Sequence, residues 1–140
     1  MASRREAFVD RDAERQAAEN DRHWIRVCNI GELKDGRGRI VPLPNELVAV
    51  FLYDGKLSAV SNVCAHQNGP LGEGRVIDGL VTCPWHGFQY RPEDGCAPSP
   101  YTERIATYRL ALEDGAVMLD PTPNAPGTYI EPLRIIEATR

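Results

Sequence analysis

The sequence predicts an all-β fold, an antiparallel sandwich or barrel. Eleven prolines and twelve glycines among 140 residues exceed what a helical bundle carries. Short runs rich in β-branched and aromatic residues recur along the chain, each the length of a strand. Five Asp-Gly pairs (Asp35-Gly36, Asp54-Gly55, Asp78-Gly79, Asp94-Gly95 and Asp114-Gly115) stand between or around those runs. Asp-Gly suits a two-residue hairpin turn, because both positions can take positive φ. Turns at this density between short strands are the mark of a sandwich or barrel.

Taken in order, residues 1–22 read as a charged extension. They hold five arginines and six acids, with Phe8 and Val9 the only bulky apolar residues after Met1. That composition describes a solvated helix or an unordered tail. The strand pattern opens at Trp24–Cys28 and continues through Arg39–Leu43, Glu46–Tyr53, Leu57–Ser61, Leu80–Cys83, Ile105–Leu112 and Ala116–Leu119. Asp54-Gly55 and Asp114-Gly115 each lie between two such runs and are the best hairpin turns. After Asp120 the stretch Pro121-Thr122-Pro123-Asn124-Ala125-Pro126-Gly127 reads as a linker. Tyr129–Glu137 is apolar again and must bury that surface. Folding back onto its own domain is favoured over docking on a partner, since it avoids the cost of association. The expected organisation is therefore an extension over 1–22, one domain over 23–120, and a Pro-rich linker with a C-terminal segment over 121–140. No repeat of fixed period is present.

Length and charge exclude several classes. One domain fits in 140 residues, with enough chain to bury a core unaided. A formal net charge of −4 argues against nucleic acid, which is bound through clustered Lys and Arg. The longest apolar run, Leu47–Tyr53, falls far short of the roughly 18 residues a membrane helix needs. The N-terminus lacks the apolar core of a signal peptide. The expected compartment is the reducing cytoplasm, where four cysteines do not imply disulfides.

The chemistry concentrates in two clusters. Cys64-Ala65-His66 is followed, after sixteen residues, by Cys83-Pro84-Trp85-His86. Both sit in turn-like sequence, with Asn68, Gly69 and Pro70 after the first and Pro84 and Gly87 interrupting the second. Two short loops, each giving one Cys and one His, can converge on one metal centre. Zinc accepts such a donor set, but its knuckles usually pair two cysteines in one loop. Mixed loops suit a two-iron cluster with two thiolates on one iron and two imidazoles on the other. The alternative, in which both cysteines are small core residues and the histidines incidental, needs four residues in register by chance.

This pattern, C-A-H-x₁₆-C-P-W-H-G with Phe88, Tyr90 and Gly95 beyond it, resembles the Rieske [2Fe–2S] proteins from about Trp24 to Leu119. The resemblance implies the Rieske-type antiparallel β-sandwich with two cluster-binding loops at one tip and one [2Fe–2S] cluster per chain. Cys64 and Cys83 would bind the inner iron, and His66 and His86 the outer iron. Pro98-Ser99-Pro100 falls where the family has a proline-containing loop over the cluster. The resemblance also points to a branch. Rieske subunits of cytochrome bc complexes carry one more Cys in each loop, joined as a disulfide. Here those positions are Gly69 and Trp85. They also carry a membrane anchor, and after the second loop's Gly a Ser and then a Tyr that donate to sulfur. Here the Ser position is Phe88 and the Tyr position is Tyr90. Fewer donors lower the potential within the Rieske range of about −150 to +300 mV, and Tyr90, if it is more than a strand aromatic, holds it above the bottom. Asn68 replaces a frequent Gly, and Asn tolerates the left-handed region.

An oxygenase needs a second iron held by two His and a carboxylate. With His66 and His86 used, only His23 remains. The chain is therefore similar to the small Rieske ferredoxins, which pass single electrons from a reductase to an oxygenase and do no substrate chemistry. Docking is expected to be small and transient, with the acidic net charge steering toward a basic face. The two extensions motivate the alternative of a Rieske subunit in a larger redox complex, and a zinc-bound structural module is the remaining reading. Cys28 reads as a core thiol, as does Cys96, and His23 as a surface residue. Gly72-Glu73-Gly74 resembles part of a dinucleotide fingerprint, but it lacks the third Gly and the βαβ setting.

Overall fold

The computed structural model describes residues 24–135. The charged extension over 1–22, His23 and the last five residues lie outside the described residues, together with the expectations for them. Among the described residues the strands are β1 (Ile25–Asn29), β2 (Arg37–Pro42), β3 (Leu47–Tyr53), β4 (Lys56–Ser61), β5 (Arg75–Ile77), β6 (Leu80–Thr82), β7 (Gln89–Tyr90), β8 (Thr107–Tyr108), β9 (Leu110–Glu113), β10 (Ala116–Leu119) and β11 (Leu133–Arg134). All pair antiparallel, in two sheets. The smaller runs β1-β10-β9, and the larger runs β11-β4-β3-β2-β5-β6-β7 with β8 also on β4.

The apolar run at Leu47–Tyr53 becomes the central strand, buried on both faces. Side chains alternate across a strand, so Val48 and Val50 point one way and Ala49, Phe51 and Tyr53 the other. The first set joins Cys28, Val41, Leu57, Ala59, Tyr108, Val117 and Leu119 in a core shared with the three-stranded sheet. The second joins Val60, Cys64, Leu71, Val81, Cys83, Tyr90, Ala97 and Ile105. Two of the expected iron ligands are thus part of the second core. Each fully buried Phe or Val here contributes about 1.5–3 kcal/mol relative to exposure.

Three of the Asp-Gly pairs form the predicted two-residue turns, with φ of 51° and 72° at Asp54-Gly55, 52° and 81° at Asp78-Gly79, and 52° and 80° at Asp114-Gly115. The run Ile105–Leu112 divides. Thr107–Tyr108 pairs with β4, and after Arg109 the chain enters the other sheet as β9. The strands β5, β7 and β11 are too short for a periodic pattern to show. The C-terminal segment, as far as Ile135, folds back. Asn124 and Thr128 bond Thr107, the Ile130 N–H donates to the Glu93 carbonyl, and β11 pairs with Lys56 and Leu57. The stretch read as a linker is therefore tied to the sheet.

Cys28 is 1% exposed, and burial pushes its thiol above its ordinary pKa, as a core thiol requires. Cys96 is only half-buried, bridged to Arg104, so the core reading holds in part. Gly72 and Gly74 owe their identity to packing. A Cβ on Gly72 would meet the Asn62 Oδ1 at 2.8 Å, and one on Gly74 would strike the Thr82 carbonyl.

Burial raises the hydroxyls of Tyr53 and Tyr108 above their ordinary pKa, with the Glu46 carboxylate adding to the effect at Tyr108. Each is neutral in the fold and ionises more readily when unfolded. Their stabilisation is complete below the unfolded value of about 10 and is lost as pH rises past it. Stability is therefore expected to fall above about pH 10 by up to about 1.4 kcal/mol per pH unit for each tyrosine. Urea denaturation at pH 8 and at pH 11 measures this, and Tyr53→Phe should flatten the decline.

Candidate metal centre

Two loops built to one plan meet at the end of the larger sheet. The first leaves β4 and the second joins β6 to β7. In the first, the Asn68 N–H donates to the Cys64 carbonyl at 2.7 Å and the Cys64 N–H to the Gly69 carbonyl at 2.9 Å. In the second, the Gly87 N–H donates to the Cys83 carbonyl at 3.0 Å and the Cys83 N–H to the Phe88 carbonyl at 2.8 Å. Each turn needs a left-handed residue at its fifth position. Gly87 supplies one with φ of 75°, and Asn68 does so with φ of 64°, as expected of its short polar side chain.

This shared geometry segregates the donors. Cys64 and Cys83 open their turns and point inward, 1% and 4% exposed. Burial, then the neighbouring Cys64 thiol, pushes the Cys83 thiol upward, while the backbone N–H groups of Trp85 and His86 pull it down. His66 and His86 ride the turns on the outside. Both are exposed, and their rings meet edge to face with centroids 5.8 Å apart. One sulfur pair lies inside and one imidazole pair outside. Among the described residues no three His, Cys, Asp or Glu side chains are grouped around one point. Donors standing as two pairs match an asymmetric two-iron cluster, which takes one pair per iron. The N–H groups aimed at the Cys83 sulfur suit a thiolate, which accepts such bonds.

Around the two pairs, Tyr90 is fully buried. Its hydroxyl accepts from the Ala65 N–H at 2.8 Å and lies 3.2 Å from the Cys64 Sγ. Burial, then Cys64, raises its pKa well above the ordinary tyrosine value, so it stays a donor. It is more than a strand aromatic. Trp85 is 55% exposed and lies across Gly69, where a Cβ would sit 3.2 Å from the indole and 2.5 Å from the Cys83 Sγ. Trp85 and Gly69 thus hold the two loops together by packing. Pro98 is half-buried and accepts from the Tyr101 N–H at 3.0 Å. The proline loop reaches the tip through Tyr101, whose ring lies against Phe88.

Sequence reasoning missed Asn62 altogether, and it named Phe88 only by its place after the second loop, not by its contact with His66. Asn62, 3% exposed, accepts the Leu71 N–H on its carbonyl and the Gly72 N–H on its Oδ1, each at 2.7 Å, and so fixes the base of the first loop. Phe88 stacks flat on His66, with centroids 4.9 Å apart and planes 1° from parallel.

The described residues hold no helix long and apolar enough to cross a membrane. Comparison with known proteins agrees with the fold. The chain is 35% identical to the ferredoxin subunit of 3-phenylpropionate/cinnamic acid dioxygenase from Photorhabdus laumondii subsp. laumondii, over 66% of this chain and 90% of that one. It is 27% identical to the ferredoxin component of the alkene monooxygenase system of Xanthobacter autotrophicus, over 76% of this chain and 88% of that protein. Among solved structures, the ferredoxin of Sphingomonas yanoikuyae B1 superposes with a TM-score of 0.64 at 30% identity, covering 71% of this chain and all of that one. The family model for the Rieske [2Fe-2S] domain matches residues 23–109. Twin loops, an inner thiol pair and an outer imidazole pair thus stand within the matched residues, and this protein belongs to the Rieske [2Fe–2S] domain family.

Proposed function

We propose that this chain is a one-electron carrier of the Rieske ferredoxin type, taking electrons from a reductase and passing them to an oxygenase. Cys64 and Cys83 hold the inner iron and His66 and His86 the outer iron. Residues 23–120 carry the cluster loops, 1–22 is a charged extension, and the segment that begins at 121 folds back onto the domain. The observation that carries this reading is the segregation of donors by the twin loops, with sulfur buried and imidazole exposed. When bound, a cluster of this kind supplies a one-electron couple at the protein tip. The chain does no chemistry on a substrate, since only His23 is left for a second iron site. A reducing cytoplasm fits the four free cysteines.

The residues around the tip suit transient electron delivery. Paired backbone bonds in each loop limit rearrangement between redox states. Trp85 and Tyr101 stand out, 55% and 58% exposed. The stretches 61–72, 79–90 and 95–102 contain no Asp, Glu, Lys or Arg. The net charge therefore acts at long range, while contact at the tip is made by residues without acidic or basic side chains, Trp85 and Tyr101 supplying its apolar part. A small contact of this kind favours quick release.

The test is an anaerobic visible spectrum of purified protein, recorded as made, after ascorbate and after dithionite, with iron and acid-labile sulfide measured. About two irons and two sulfides per chain, with colour bleached by dithionite and not by ascorbate, is the expected result. A colourless preparation from iron-replete cells overturns the reading in favour of zinc. Bleaching by ascorbate would move it to a high-potential subunit of a larger redox complex.

A further inference from the structure

The two imidazoles are not held alike. Among the described residues His86 has one ring contact, the edge-on approach of His66 at 5.8 Å. His66 sits in an exposed loop, with Ala65, Gln67 and Asn68 also open to solvent, yet one of its faces is covered by the parallel ring of Phe88 at 4.9 Å. Phe88 is itself fixed. It packs against the core that contains Cys64 and Cys83. Tyr90 tilts against it at 5.4 Å, and Tyr101 of the proline loop meets it at 5.0 Å. Three segments of chain therefore converge on one ring, and that ring lies flat on one imidazole.

From this geometry we infer that Phe88 is the positioning residue for His66. It sets the plane of the imidazole and keeps water off one face. The inference rests on the ligand assignment above and adds a role for a side chain that has no donor atom. A ligand imidazole on an exposed loop has rotamer freedom that must be removed before its nitrogen faces iron in one orientation. In cofactor sites that task commonly falls to a hydrogen bond on the other ring nitrogen; here the flat apolar face of Phe88 does it. The same face excludes water, and solvent near a cluster favours the more negative, reduced state. Phe88 thereby holds the potential down, in the direction opposite to Tyr90.

Phe88→Leu keeps the apolar volume and removes the flat face, while Phe88→Tyr keeps the face. Expected of Phe88→Leu holoprotein are a potential shifted upward by voltammetry, broadened lines in the electron paramagnetic resonance spectrum after dithionite, and several-fold faster iron loss to bathophenanthroline. Phe88→Tyr should match the parent in line width and iron loss. A Phe88→Leu protein of full iron content with parental potential, line width and iron loss overturns the proposal. If Phe88→Leu does not assemble, Tyr101→Ala carries the test. It removes an exposed buttress of Phe88 and should shift the same three readings in the same direction, and parental values there also overturn it. Failure of the ligand assignment would show separately, as a parent protein with no iron–sulfur spectrum.

Discussion

Replacing Cys83 with alanine is expected to give a colourless, iron-free protein that still folds. Cys83 is 4% exposed, opens the second loop, and faces the Cys64 thiol. Its loss would remove one of the two thiolates proposed for the inner iron, and among the described residues no other cysteine is placed to substitute. Cys28 belongs to the core on the other face of β3, and the Cys96 Sγ lies against the Asp94 carbonyl. The fold should survive because Cys→Ala deletes one small group, a loss on the order of 1 kcal/mol. The turn itself is closed by backbone bonds from the Gly87 and Cys83 N–H groups, which alanine retains. The measurement pairs iron analysis with circular dichroism. Cys28→Ala and Cys96→Ala are the controls, expected to keep full iron. Full iron in Cys83→Ala would remove it from the ligand set, and lost iron in Cys28→Ala would add a ligand where none is proposed.

What could be read from the sequence depended on whether the cause was local. Asp54-Gly55 and Asp114-Gly115 declare their turns because two adjacent residues in the left-handed region fix a hairpin by themselves. Leu47–Tyr53 is legible as a strand because both its faces are buried, so nearly every residue is apolar. Cys64, His66, Cys83 and His86 stand out by type and spacing. The break at Arg109 does not, because nothing in Ile105–Leu112 marks where the chain changes sheets. The two-residue strands β7 and β11 are held by their neighbours, with no pattern of their own. Gly72 and Gly74 invite a motif reading, yet each is small because Asn62 or the Thr82 carbonyl sits against it. Those contacts join residues distant in sequence, as do Asn62 beneath the first loop and Phe88 against His66. Tyr90 lies between the cases. Its position could be named, but its role waited on two partners that lie 25 and 26 residues away.

Those partners make Tyr90→Phe the most informative single substitution. The Tyr90 hydroxyl accepts from the Ala65 N–H, so its own proton is free for Cys64, 3.2 Å away. Against a thiolate ligand only Tyr90 can donate. A donor to sulfur stabilises the more negative cluster and raises the potential. Phenylalanine removes the donor and keeps the ring in its fully buried place, so the potential should fall. If the bond favours the reduced state by about 1–1.5 kcal/mol, the drop is roughly 40–65 mV for a one-electron couple. The same change strands the Ala65 N–H, which loses its acceptor at a partly buried site. That should lower stability by about 1 kcal/mol or somewhat more, measurable by urea denaturation of the holoprotein. Two independent readings thus test one hydroxyl. A fall in potential with unchanged stability would mean that water reaches Ala65. A fall in stability with unchanged potential would mean that Tyr90 braces the first loop without touching the electronic state of the centre, and the donor role would have to be abandoned.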